Sequence, residues 1–212
     1  MKTSIAVSLA LCLSVMVPVN FGQHHAHDAQ KKQTTNDAVV AGVKKPGRIE
    51  LPLVSFEIPD SLLLDQNGKQ LKFYSDLVKG KVVVVHFFFS TCSNVCPMQG
   101  RSLVRLKNRL GDRLGRDVFF ISISKDPKTD TPEKLSQWAR RYGVGSGWTL
   151  LTGEPPVIEK LLWDFTGEEI GQAMHESLMI VGNDRTGTWT STDGLLRADE
   201  LVKVIDEISR SE

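Results

Sequence analysis

Two thiols separated by three residues, Cys92 and Cys96, with Pro97 directly after the second, are the groups in this chain best placed to do chemistry. Thiolates exchange disulfides, reduce peroxide or bind soft metal ions, and each of these uses needs a thiol that ionises readily. A structural disulfide is the alternative. Closing so short a loop would stabilise the fold by only about 2 kcal/mol, and a chain of 212 residues buries core enough to do without it. The pair therefore reads as a redox or metal-binding dithiol rather than a staple.

The flanking residues say how the pair is held. Residues 82–89, VVVVHFFF, are an apolar run broken only by His86, which predicts a strand buried on both faces in the middle of a parallel sheet. A helix is expected over residues 97–110, with Pro97 at its first position. Leu103, Leu106 and Leu110 form its inner stripe. Arg101, Arg105, Lys107 and Arg109 face outward, either solvated or guiding an acidic partner. Both cysteines then lie at a helix start. Unsatisfied N–H groups and the helix dipole favour thiolate there, so both are expected to be more acidic than a free cysteine.

Further along, residues 117–124 read as a strand that completes a right-handed βαβ unit. Thr131 caps a helix over 132–142. A strand at 148–152 and a helix at 156–165 follow, then an antiparallel hairpin of 177–182 with 188–191. A closing helix at 198–209 turns Leu201, Val204, Ile205 and Ile208 inward. Upstream, residues 53–73 read as short strands about an Asp65-Gln66-Asn67-Gly68 turn. The sum is an α/β chain with the thioredoxin plan and an added N-terminal β-hairpin, in which the thiols lie beyond the carboxyl end of a central strand.

That plan makes one absence informative. Thioredoxin-like oxidoreductases place a cis-proline before the strand that faces the cysteines, whereas this chain has no proline after Pro156 and carries Met174-His175-Glu176 at that place. A neutral imidazole from His175 would complete a Cys92, Cys96, His175 set. Two soft thiolates with an imidazole favour copper, as Cu(I) or Cu(II). Zinc would want a fourth ligand, and haem attachment or an iron–sulfur cluster does not fit the cysteine count and spacing. Met174 is a further soft donor or a gap-filler. His86, inside a buried strand, reads as a hydrogen-bonded core histidine.

In combination these motifs resemble the Sco/SenC family of copper-handling proteins. The residues that carry the resemblance are F-x-x-x-C-x-x-x-C-P from Phe88 to Pro97, D-P-x-x-D-T from Asp126 to Thr131, and the lone His175 before an apolar strand. The resemblance implies an exported, often membrane-tethered thioredoxin-like domain over residues 51–212 that binds copper through the two cysteines and the histidine. It implies a partner too: the cytochrome c oxidase subunit carrying the copper A site, or another copper acceptor, served by copper donation, by reduction of the acceptor thiols, or by both. Asp126 matches the family's acidic residue beside the site and is assigned to orienting the ligands, or to forming the turn. Ser93 stands where family members commonly have proline, and Met174 where they often have an acidic residue.

Composition narrows the rest. The chain has 26 basic and 25 acidic residues, a balance that points away from nucleic acid. Residues 1–22 contain one charge, Lys2, and an apolar stretch that includes Cys12. This reads as a secretory signal or a short membrane anchor, placing the protein in a periplasm or on the outer face of the inner membrane. Residues 23–50 read as a flexible polar linker; its His24, His25 and His27 either collect metal or are merely solvated. Two enzymatic readings compete with copper handling. One is a copper-independent thiol–disulfide oxidoreductase of exported proteins. The other is a thiol peroxidase, the weaker because Phe89 stands where a peroxidatic site would carry Thr or Ser.

Overall fold

The computed structural model describes residues 58–167 and 177–210, together with the backbone of Arg48–Ile49. All of these fall within the compact unit Val40–Glu212. Eight strands form a single sheet: β1 Arg48–Ile49, β2 Leu62–Asp65, β3 Gln70–Lys72, β4 Val82–Phe88, β5 Val118–Ser124, β6 Trp148–Thr152, β7 Leu178–Asn183 and β8 Thr188–Asp193. Across the sheet they run β1-β8-β7-β4-β5-β6-β2-β3. Strand β4 pairs parallel with β5 and antiparallel with β7, and β5 pairs parallel with β6.

The apolar run is the centre of this sheet, as its composition predicts, and all seven residues of β4 are buried. Its side chains alternate between two cores. Val82, Val84 and Phe88 pack with helices α1 (Val95–Leu110), α2 (Pro132–Tyr142) and α4 (Ala198–Arg210) through Leu103, Leu106, Trp138, Leu201 and Ile205. Val83, Val85 and Phe87 face the other way, towards α3 (Pro155–Thr166), through Ile158, Leu161 and Phe165. Each such side chain contributes roughly 1.5–3 kcal/mol on full burial, which ties β4 firmly to both cores. A loop that leaves its end inherits a fixed origin.

The expected N-terminal hairpin is β2 with β3, added at the β6 edge of the sheet. Asp65 builds its turn. The Asp65 carboxylate accepts the N–H groups of Asn67 (2.8 Å) and Lys69 (2.9 Å), while Gly68 takes a φ of +77° that few other residues tolerate. At the opposite edge, Arg48–Ile49 pairs antiparallel with Ser191 and Thr192 of β8. These two residues lie in the stretch read from sequence as linker. Two residues carry no periodicity to announce a strand, and it is the open edge of β8 that supplies their partner.

Candidate metal centre

Strand β4 ends where its ladder is taken over by two anchors. The Lys125 N–H donates to the Phe88 C=O (2.7 Å). Ser90 is then captured by Asp130, which accepts the Ser90 N–H (2.9 Å) and the Ser90 hydroxyl, and also the Ser124 hydroxyl at the end of β5 (2.6 Å). Asp130 is wholly buried. A carboxylate removed from water needs such donors, and here the donors are the residues that set the course of the thiol loop.

From Ser90 the chain makes a tight turn, the Cys92 N–H donating to the Phe89 C=O (3.2 Å). It enters α1 at Val95, two residues earlier than expected, so Pro97 is the third helical residue rather than the first. The reason is that none of the first four N–H groups of a helix has an intrahelical partner, so proline costs nothing at the third position either. Asn94 stands at the cap position but makes no side-chain bond to the helix. The Cys92 sulfur does this instead, accepting the Cys96 N–H at 3.4 Å.

The two thiols, both free, are therefore unequal. Burial opposes ionisation of Cys92, but the Cys96 thiol and the N–H groups of Cys96, Asn94 and Val95 outweigh it, and Cys92 lies below the ordinary thiol value. Cys96 goes the other way. Its side chain belongs to the core against α2 and β4, and burial, followed by the adjoining Cys92, pushes it up to about 12. The expectation that both thiols are acidic thus holds for Cys92 alone. A helix start favours thiolate only where the sulfur reaches the N–H groups, and Cys96 points into the core instead.

Asp126 is half-buried, and its backbone closes the turn after β5. Its C=O accepts from Thr129 and Asp130, and its N–H donates to the Ser124 hydroxyl (3.0 Å). Support of the thiol loop comes from Asp130, four residues on in the same D-P-x-x-D-T motif. The sequence signal for Asp130 was that second motif carboxylate. Nothing local distinguished the two, because burial is decided by what packs above them.

His86 is fully buried. Its Nδ1 lies 3.2 Å from the Ser122 hydroxyl, which also accepts the Trp148 indole N–H (3.0 Å). Burial drives the His86 pKa down to about 3, with Gln99 opposing and Lys125 assisting, so the ring is a neutral core group. Among the described residues no three histidine, cysteine or acidic side chains converge as a metal cluster. His175 and Met174 lie outside the described residues. The residue that follows their stretch, Ser177, is held firmly: its hydroxyl donates to Asp193 (2.6 Å) and its C=O accepts the Gly194 N–H. Gly194 is obligatory at this contact, since a Cβ there would meet the Ser177 oxygen at 2.6 Å and the Gln99 side chain of α1 at 2.9 Å.

Residues 58–207 match the SCO1/SenC family model, a span that includes both cysteines, Asp126, Asp130 and His175. The chain belongs to the SCO1/SenC family. Among curated relatives, it is 32% identical over 146 residues to the SCO1 protein homolog of Bacillus subtilis, a match covering 65% of this chain and 74% of that one. It is 29% identical over 104 residues to a putative copper-binding protein of Stutzerimonas stutzeri, covering 49% of each. Among solved structures, a SCO1/SenC family lipoprotein from Bacillus anthracis superposes with a TM-score of 0.62 at 25% identity, over 74% of this chain and 97% of that one. BsSco, described as a member of the Sco family of cytochrome c oxidase assembly proteins, has the same fold at a TM-score of 0.62 and 24% identity, over 77% and 99% of the two chains. The α/β, thioredoxin-like architecture expected from the element order is the family's. Among the described residues, no helix is long and apolar enough to cross a membrane.

Proposed function

We propose that this protein is an exported copper-binding protein that delivers copper to the copper A centre of cytochrome c oxidase, reduces the thiols of that acceptor, or does both. Copper is the cargo, held by Cys92, Cys96 and His175. The observation that carries the reading is the state of Cys92: a free, half-buried, readily ionised sulfur at the open end of α1, with a second free thiol beside it. Soft thiolates with one imidazole suit Cu(I) in particular. Membership of a family that includes a putative copper-binding protein and oxidase assembly proteins supports the choice of metal and acceptor. The apolar residues 1–22 support export, by a cleaved signal or a retained anchor.

In this mechanism the chain contributes three things. β4 and Asp130 fix the loop, the N–H groups at the start of α1 make Cys92 the more readily ionised thiol, and the core around Cys96 keeps its proton until a metal or a disulfide exchange displaces it. The inequality of the thiols also favours a second reading, copper-independent thiol–disulfide reduction. There the Cys92 thiolate attacks a substrate disulfide, forming a mixed disulfide and expelling one substrate thiolate. Cys96 then gives up its proton and attacks the Cys92 sulfur, forming the Cys92–Cys96 disulfide and releasing the second thiol. Two electrons pass from the dithiol to the substrate.

Titration of the reduced protein with copper separates the two. Delivery predicts one tightly held ion and, with Cu(II), a thiolate-to-copper absorption band that His175→Ala abolishes. Fast exchange with a disulfide substrate, together with copper binding no tighter than that of His175→Ala, would establish the reductase reading instead.

A further inference from the structure

The helix that presents the thiols carries charge of one sign only. α1 contains Arg101, Arg105, Lys107 and Arg109 and no carboxylate, in a chain whose 26 basic and 25 acidic residues almost cancel. Two of these cations have structural work. Arg109 bridges to Asp199 of α4 (3.1 Å), and the Lys107 ammonium donates to the Gly143 C=O just beyond α2. Arg101 and Arg105 are exposed, and among the described residues neither pairs with a carboxylate. The helix dipole accounts for cations in the last turn, Lys107 and Arg109, but Arg101 in the first half gains nothing from it. Spacings of three and four put Met98, Arg101 and Arg105 on one face, and Met98 is 44% exposed. This stripe starts at the thiols. Cys96 lies in the first turn, bonded to the Cys92 sulfur, and Arg101 and Arg105 stand roughly 8 and 14 Å further along the axis. Alongside, α2 packs so closely that a Cβ at Gly100 would meet the Tyr142 ring at 2.6 Å, and it adds Lys134, Arg140 and Arg141 against a single carboxylate, Glu133.

We infer that the Met98, Arg101, Arg105 stripe is the docking surface for an acidic segment of the protein that receives copper or electrons from Cys92. This rests on the function proposed above only in taking Cys92 as the transferring sulfur, which both of its readings share. An acceptor that reaches Cys92 must lie against the start of α1, and the surface it meets next is Met98 and then two unpaired guanidiniums. Guanidinium forks bind carboxylates through paired hydrogen bonds. The two arginines are about 6 Å apart along the axis, which matches carboxylates two residues apart in an extended segment, with an apolar side chain set against Met98. Charge of this kind steers the encounter and fixes orientation more than it adds affinity. That suits a partner which must bind, exchange and leave.

The test uses the full reduced chain and two synthetic disulfide-bridged peptides, one with glutamates a few residues from the bridge and one with glutamines in the same places. Cys92 attacks the bridge, Cys96 resolves the mixed disulfide, and two electrons pass from the dithiol to the peptide. The ratio of the two reduction rates reads docking, since the acidity of Cys92 enters both rates equally. At low salt the acidic peptide is expected to react ~10-fold faster. The advantage should vanish in roughly 1 M salt, where the Debye length is about 3 Å. Arg101→Gln combined with Arg105→Gln should cut the ratio at least ~3-fold. The same loss of charge at the exposed β3 edge, Lys69→Gln with Lys72→Gln, should not. A wild-type ratio below ~3, an arginine variant that loses less than ~3-fold, or an equal loss in the lysine variant overturns the inference. Arginine-dependent co-sedimentation with anionic phospholipid vesicles would overturn it too, assigning the stripe to a membrane. If neither peptide is reduced, the exchange reading falls, and NMR titration with the same peptides decides the docking. The Met98, Arg101 and Arg105 amides should then shift with the glutamate peptide alone, and no shift overturns the inference.

Discussion

Replacing Asp130 is the sharpest test of how the thiol loop is held. Asp130→Ala removes a wholly buried carboxylate that accepts the Ser90 N–H, the Ser90 hydroxyl and the Ser124 hydroxyl. Hydrogen bonds to a charged group contribute roughly 1.5–3 kcal/mol each, and a stranded buried donor costs about 1–3 kcal/mol. The two hydroxyls can turn to other acceptors, but the Ser90 N–H cannot, so the three bonds do not add in full. The expected loss is ~3–5 kcal/mol, a large share of the ~5–15 kcal/mol that holds a domain together. Asp130→Asn keeps an acceptor for the N–H and should lose only ~1.5–3 kcal/mol. Urea denaturation of the reduced protein, followed by far-UV circular dichroism, measures both losses, and an unchanged m-value shows that they arise in the native state. Amide exchange at Ser90 should accelerate in Asp130→Ala more than exchange in the centre of β4. A loss below about 1 kcal/mol, or a Ser90 amide as protected as in the wild type, would refute the claim that this carboxylate anchors the loop.

Two further predictions concern protons. Alkylation of the reduced protein by iodoacetamide, mapped by mass spectrometry, should label Cys92 first across the neutral to mildly alkaline range, since Cys92 is depressed and Cys96 raised to about 12; equal labelling would contradict the burial of Cys96. His86 should impose an acid limb on stability. Its folded value of about 3 lies below the ordinary 6.5, so the unfolded chain binds a proton that the folded chain refuses, and stability falls as pH drops from 6.5 towards 3. The His86→Phe variant should show a flatter urea midpoint over that interval, and an unchanged slope would mean that other groups cause the acid loss.

Apart from Arg48–Ile49, the strands and long helices and their order are written in local patterns of the sequence. The unbroken apolar run names β4, Pro132 after Thr131 opens α2 at the residue predicted, and Asp65 with Gly68 specifies the hairpin turn. The sequence by itself also named the thiol pair and the family motifs around it. Tertiary structure decided what the motif residues do. Of the two motif aspartates, Asp130 is the one that is wholly buried and holds Ser90, across 40 positions of chain. Two cysteines at one helix start acquired opposite acidities because one sulfur turns to the N–H groups and the other into the core. The burial of Lys125 at the end of β5 is likewise the work of strands brought together by folding. Local patterns fix dihedral preferences and faces, whereas solvation and field depend on what the rest of the chain lays over a side chain. The chemistry of this site therefore resides in contacts that no spacing along the sequence records.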